Sequence, residues 1–187
     1  HNCLVGSEMC IRDSLEQRAL NLQLRRREWD FRDHNAIDPI TQLYRAEYWK
    51  TQINKLQQSG KSAVIAIIDI NNFSLFNQKH GYTEGDRYLH DIAQLVIMNL
   101  RQQDLACRYA GDRFAILIPD VSPMQADVIL NDIKVSIQHL AFRHSQNANA
   151  IYTTARSTQV TLLPNQRLAT VLNTMLLELE RAHGSAA

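Results

Sequence analysis

The chain has 187 residues, 45% of them apolar, enough to bury one core and too few for two full domains. Its 20 basic and 19 acidic side chains nearly cancel, so no global field directs it to DNA, RNA or an anionic membrane, and partners must be argued from local sites. The longest apolar run, Ala63 to Ile68, is far shorter than the roughly 20 residues of a membrane-spanning helix. Cys3, Cys10 and Cys107 have neither metal-ligand spacing nor an even-numbered framework, so a soluble chain in a reducing, cytoplasmic compartment is expected.

Residues 1–14 stand apart. The stretch Cys3-Leu4-Val5-Gly6-Ser7-Glu8-Met9-Cys10-Ile11-Arg12-Asp13-Ser14 resembles the in-frame translation of a sequencing adapter and is set aside as a non-native segment. On that reading the natural protein begins further upstream and a sensor or membrane region is expected ahead of this fragment; a natural N-terminal segment is the alternative.

From Leu15 to about Ala36 there is no Gly or Pro, and Leu15, Leu22 and Trp29 recur every seven residues, with Ala19 adding to the stripe. Arg18, Arg25 and Arg32 interrupt it, so residues 15–37 read as a marginal connector helix that pairs only in context. Asp38-Pro39 ends it, because the residue before proline is pushed out of helical geometry. Ala63 to Ile68 is a strand buried on both faces and ending at Asp69. Gly85 to Leu100 places Leu89, Ile92, Ala93, Val96 and Leu100 on one helical face.

Cys107–Tyr109 and Phe114–Ile118 flank the short turn Ala110-Gly111-Asp112-Arg113 and read as a hairpin. A second amphipathic helix over Met124–Phe142, a threonine-rich β region split by polar residues over Ile151–Leu162 and a last helix over Leu168–Arg181 complete the chain. The order implies an α+β fold, with helices packed on a mostly antiparallel sheet.

Asp69 at a strand end and Asp112 at a hairpin tip are two carboxylates able to converge on Mg²⁺, which leaves its remaining positions to water and phosphate oxygens. Taken alone, Asp69 also reads as a strand terminator or helix cap. Gly111 serves either reading, since hairpin turns want positive φ and phosphates want close backbone approach.

In order and spacing, Asp69-Ile70-Asn71-Asn72-Phe73, Phe76-Asn77, Gly81, Gly85-Asp86, Leu89 and Arg108-Tyr109-Ala110-Gly111-Asp112-Arg113-Phe114 resemble the GGDEF family, the fold of diguanylate cyclases, and Asp38-Pro39-Ile40-Thr41-Gln42-Leu43 resembles its lead-in motif. The resemblance covers residues 38–187 and implies a palm-like, ferredoxin-like domain in which two protomers each present one GTP. It implies that Asp69, the Ile70 carbonyl and Asp112 are metal ligands, that Asn77 and Asp86 read guanine, and that Gly111 lies against substrate. Without the family, Asn77 and Asp86 read equally as helix caps around Gly81 and Gly85.

The signature is altered, however. Its fourth residue, an acid in active cyclases, is Arg113, whose guanidinium repels Mg²⁺ or neutralises Asp112 by pairing with it. Ser74, Gln78, Arg45-Ala46 and Ala155-Arg156-Ser157 replace further family residues, and only His183 stands near the C-terminal phosphate-holding cations.

Arg101-Gln102-Gln103-Asp104 matches the Arg-x-x-Asp of the family's inhibitory cyclic di-GMP site, although the second arginine of that site aligns near Asp132. Away from the family, the pair reads as a solvated surface ion pair. The resemblance with these losses implies an impaired GGDEF module of the cyclic di-GMP system that acts by binding GTP or cyclic di-GMP, or by dimerising with itself or another GGDEF domain. An active diguanylate cyclase and a ligand-free interaction domain are the alternatives.

Overall fold

A computed structural model of the protein describes residues 36–144 and 153–184. The expected connector helix and the opening segment lie outside the described residues. Contacts divide the chain into residues 1–36 and 37–187, and the second of these units carries the sheet and its helices.

The elements run β1 (Tyr44–Arg45), α1 (Ala46–Gln58), β2 (Ala63–Asn71), α2 (Phe73–His80), α3 (Tyr82–Met98), β3 (Leu105–Ala110), β4 (Arg113–Pro119), α4 (Pro123–His144), β5 (Thr154–Leu162) and α5 (Leu168–Gly184). The sheet order is β1-β3-β4-β2-β5, antiparallel except for the short β1–β3 pair. The α+β reading of the sequence is therefore the observed architecture.

β2 is central and buried on both faces, which is why its sequence is a continuous apolar run rather than an alternating one. Val64, Ala66, Ile68 and Ile70 join Phe114, Ile116 and Ile118 under α3 and α4, where Leu89, Ile92, Ala93 and Val96 meet Leu130, Ile133 and Ile137. Ala63, Ile65 and Ile67 face the other way, with Ala115 and Leu117, onto Trp49 and Ile53 of α1 and Leu172, Met175 and Leu179 of α5. The expected helical face from Leu89 to Leu100 is buried throughout.

Several expected boundaries move. β2 continues through Asp69 to Asn71 instead of ending at Asp69, because β5 pairs with it along that whole length. β5 is one unbroken strand rather than a split region, its polar residues tolerated at the sheet edge. α1 and α2 are additional to the elements read from the sequence. Trp49, Ile53 and Leu56 give α1 its buried stripe, and α2 follows Asn72, whose φ of +61° is a conformation asparagine tolerates better than most residues.

Candidate functional site

Strand register builds the centre of the site. Asp69 of β2 stands opposite Arg113 of β4 on one side and Arg156 of β5 on the other. Residues directly opposite on neighbouring strands project from the same face of a sheet, so three side chains meet in a row. Arg156 donates from Nε to Asp69 Oδ2 at 3.0 Å and makes a second, short bond to the same oxygen from Nη2. Arg113 Nε lies 3.5 Å from Oδ1. Each oxygen of the Asp69 carboxylate thus faces a guanidinium, and the Asp69 side chain keeps only 6% of its exposure, against 27% for Arg113 and 19% for Arg156.

This corrects the partner expected for Arg113, which pairs with Asp69 rather than Asp112, and Nη2 reaches toward Glu180 of α5 at 4.0 Å. Odd-numbered residues of β2 and β4 face α1 and α5, which is why α5 supplies that acid.

Gly111 and Asp112 form the two-residue turn of the β3–β4 hairpin, and Gly111 takes φ +59°, a conformation that favours glycine. Tyr109 is the extra residue where the ladder shifts register between Arg108 and Ala110. Burial and the nearby charge of Asp69 push the Asp112 carboxyl above its ordinary range, and the attraction of Arg113 and Arg156 offsets this only in part. The turn thus brings Asp112 within electrostatic reach of Asp69. Ile70 lies one residue past the last β2–β4 pair, Asp69 with Arg113, and remains paired with Ala155 of β5. Among the described residues, no group of three or more His, Cys, Asp or Glu side chains is placed to hold a metal ion.

Asn77 and Asp86 lie at the junction of α2 and α3, where Gly81 turns the chain with φ +85°. Asn77 packs over Gly85 so closely that a Cβ on Gly85 would fall 1.8 Å from its Oδ1. That oxygen is buried with no hydrogen-bond partner among the described residues, an arrangement that leaves an acceptor in need of a donor. Asp86, the next residue along α3, is exposed.

Arg101 and Asp104 close on each other. Asp104, its side chain fully buried, accepts from the Arg101 backbone N–H at 2.8 Å and from Nε and Nη2 at 3.2 and 2.8 Å, and Nη2 also donates to the Pro119 carbonyl at 2.9 Å. The pair is a loop staple with a buried carboxylate and a guanidinium that stays partly exposed, so the surface-pair reading holds for Arg101 but not for Asp104.

Arg108 makes a comparable link between the lead-in turn and the hairpin, donating to Asp38 Oδ1 at 3.2 Å and to the Gly111 carbonyl at 2.9 Å. Burial acts to raise the Asp38 carboxyl, but the amide and hydroxyl of Thr41 together with Arg108 outweigh it and hold the group below its ordinary range.

Sequence reasoning named Asp69 and Arg113 but missed the part played by Arg156, seen there only as a departure from a motif. Its role depends on the β2–β5 register, and β5 lacks the apolar alternation that fixes a register in advance. The side chain of His183 lies outside the described residues.

The sequence profile of the family described as "Diguanylate cyclase, GGDEF domain" matches residues 35–183. The chain is 29% identical over 148 residues to the cyclic di-GMP phosphodiesterase PdeB of Shewanella oneidensis and 32% identical over 111 residues to the probable diguanylate cyclase DgcJ of Escherichia coli, covering 78% and 57% of this chain. It spans only 16% and 22% of those two proteins. The coiled coil and GGDEF domain of DgcB from Caulobacter crescentus, solved with c-di-GMP, shares the fold with a TM-score of 0.73 at 21% identity over 95% of this chain and 94% of that one. Diguanylate cyclase SiaD from Pseudomonas aeruginosa, solved with its activator SiaC, gives 0.71 at 23% identity over 95% and 71%. With the profile matched across most of its length and the signature hairpin formed by two strands of this five-stranded sheet, the chain belongs to the GGDEF family of the cyclic di-GMP system.

Proposed function

We infer that this domain is a catalytically impaired GGDEF module that regulates by binding a guanine nucleotide, GTP or cyclic di-GMP, or by pairing with a second GGDEF domain. The observation that carries the reading is the engagement of both Asp69 carboxylate oxygens by Arg113 and Arg156. Joining two GTP molecules calls for divalent cations that activate the attacking hydroxyl and clamp phosphate oxygens. The residues present do not fit Mg²⁺. Of the two carboxylates and one carbonyl assigned to it, Asp69 is neutralised by guanidinium groups, leaving Asp112 and the Ile70 carbonyl.

Guanine recognition has better support. The exposed carboxylate of Asp86 is an acceptor suited to the N1 and N2 donors of guanine, and on the adjoining helix Asn77, whose buried Oδ1 has no partner among the described residues, turns toward them when its amide leaves Gly85. Recognition of the base and transfer chemistry therefore separate in this chain.

Calorimetry with GTP and with cyclic di-GMP, beside an assay for cyclic di-GMP made from GTP with Mg²⁺ or Mn²⁺, tests the reading. Heat with at least one nucleotide and no product is expected. Steady product formation by the purified chain would overturn impairment, and absence of heat with both nucleotides would leave a ligand-free interaction domain.

A further inference from the structure

The two arginines do more than remove a metal ligand. In two-metal chemistry a divalent cation lies between protein carboxylates and substrate phosphates, compensating both. In this chain Arg113 and Arg156 hold the corresponding electrostatic position. On one side they meet Asp69, which is almost closed to solvent, while parts of both arginine side chains stay open, so an approaching anion meets guanidinium before the Asp69 carboxylate.

Within the row two positive charges flank one negative, while Asp112 at the hairpin tip and Glu180 at 4.0 Å from Arg113 are the acids at its margin. Each guanidinium has five N–H donors in a fixed fork suited to phosphate. Asp69 engages Nε and Nη2 of Arg156 and Nε of Arg113. Glu180, 60% exposed and 4.0 Å from Arg113, is a weak competitor for the remaining donors.

The geometry points to a site in which Arg113 and Arg156 take the place of the divalent cation, so that the phosphates of a guanine nucleotide bind to the two guanidinium groups directly and no Mg²⁺ or Mn²⁺ is held. This rests on the nucleotide-binding reading above and adds to it how the phosphate end is held. No covalent step is involved.

The test titrates the intact chain in two ways. Mn²⁺ is added alone and followed by the electron paramagnetic resonance of the free ion, and GTP is titrated calorimetrically once in EDTA and once in excess Mg²⁺. The free Mn²⁺ signal is expected to stay undiminished, GTP affinity to be the same in both buffers, and Arg156→Gln to weaken GTP in EDTA by about tenfold or more, the scale of a lost charge-assisted contact.

Mn²⁺ uptake that Asp69→Asn removes would overturn the inference. So would GTP binding that EDTA abolishes, a result that leaves nucleotide binding itself standing, and so would an unchanged affinity in Arg156→Gln. Absence of GTP heat in either buffer overturns both this inference and the reading beneath it. If Arg156→Gln shows no cooperative melting, Arg156→Lys replaces it; it keeps the charge, loses the fork and is expected to weaken GTP by a smaller factor.

Discussion

Arg156 and Asp69 are cross-strand partners in the β5–β2 ladder, and the guanidinium grips a single carboxylate oxygen with two of its nitrogens. A pair fixed by register is held by the backbone of two strands, unlike an exposed ion pair that pays side-chain entropy each time it forms. Removing Asp69 would leave Arg156 without the carboxylate it bonds and Arg113 with only the exposed Glu180 at 4.0 Å as an ion-pair partner. Asp69→Ala is therefore expected to cost roughly 3 kcal/mol in urea unfolding, the scale for breaking a largely buried pair.

Asp112→Asn should act with the opposite sign. Burial and the Asp69 charge raise the Asp112 carboxyl, so between its unfolded and folded values the native state binds more proton and stability falls as pH rises. The stabilising contribution is complete below the unfolded value and lost as pH climbs through the folded one. The variant is expected to melt higher than the parent at neutral pH, with the difference vanishing below the ordinary carboxylate range. Melting curves across pH check it.

Asp38 supplies the contrasting limb. With its carboxyl held below the ordinary range by Thr41 and Arg108 against the effect of burial, its contribution is present above the unfolded value and lost as pH falls through the folded one. Asp38→Ala removes a turn cap and an Arg108 partner, an expected loss of about 1–2 kcal/mol at neutral pH that shrinks in acid. Denaturant midpoints at several pH values measure this.

Gly85→Ala separates stability from binding. Alanine in a helix gains up to about 1 kcal/mol over glycine, while overpacking costs about 1–3 kcal/mol, so the net stability change is expected to be small and unfavourable. The added methyl must displace the Asn77 side chain, whose oxygen would lie 1.8 Å away, and GTP affinity should drop. Pairing it with Asn77→Ala is expected to restore melting without restoring affinity. Calorimetry and melting on the single and double variants read both effects.

Arg101→Ala leaves the buried Asp104 carboxylate without the guanidinium partner it has in the native loop, at an expected cost of about 1–3 kcal/mol. Any heat with cyclic di-GMP that comes from this pair should be lost, whereas heat with GTP should remain. Retention of the full cyclic di-GMP signal would assign that ligand to another part of the surface.

The fold was legible in the sequence where burial dictates pattern. The continuous run Ala63–Ile68 announces a central strand, and the spacing of Leu89, Ile92, Ala93 and Val96 announces a helix over that sheet. α1 carries a readable signal in Trp49, Ile53 and Leu56, but α2 is only eight residues long, too short for a clear periodicity. Asp69 and Asp112 could be named from a strand end and a hairpin turn, whereas Asn77 and Asp86 could be named only through the resemblance to the GGDEF pattern.

Arg156 could not be assigned its partner. Local sequence says which residues are in β5, whereas the contact depends on how β5 slides along β2, and a slip of one residue would turn the arginine to the opposite face.

The row Arg113–Asp69–Arg156 also couples two strands that flank one carboxylate. Restoring the signature acid at Arg113 leaves Asp69 in the grip of Arg156, and changing Arg156 alone leaves Arg113 in place. Neither step by itself returns an unencumbered carboxylate, so freeing both Asp69 oxygens takes coordinated change on two neighbouring strands.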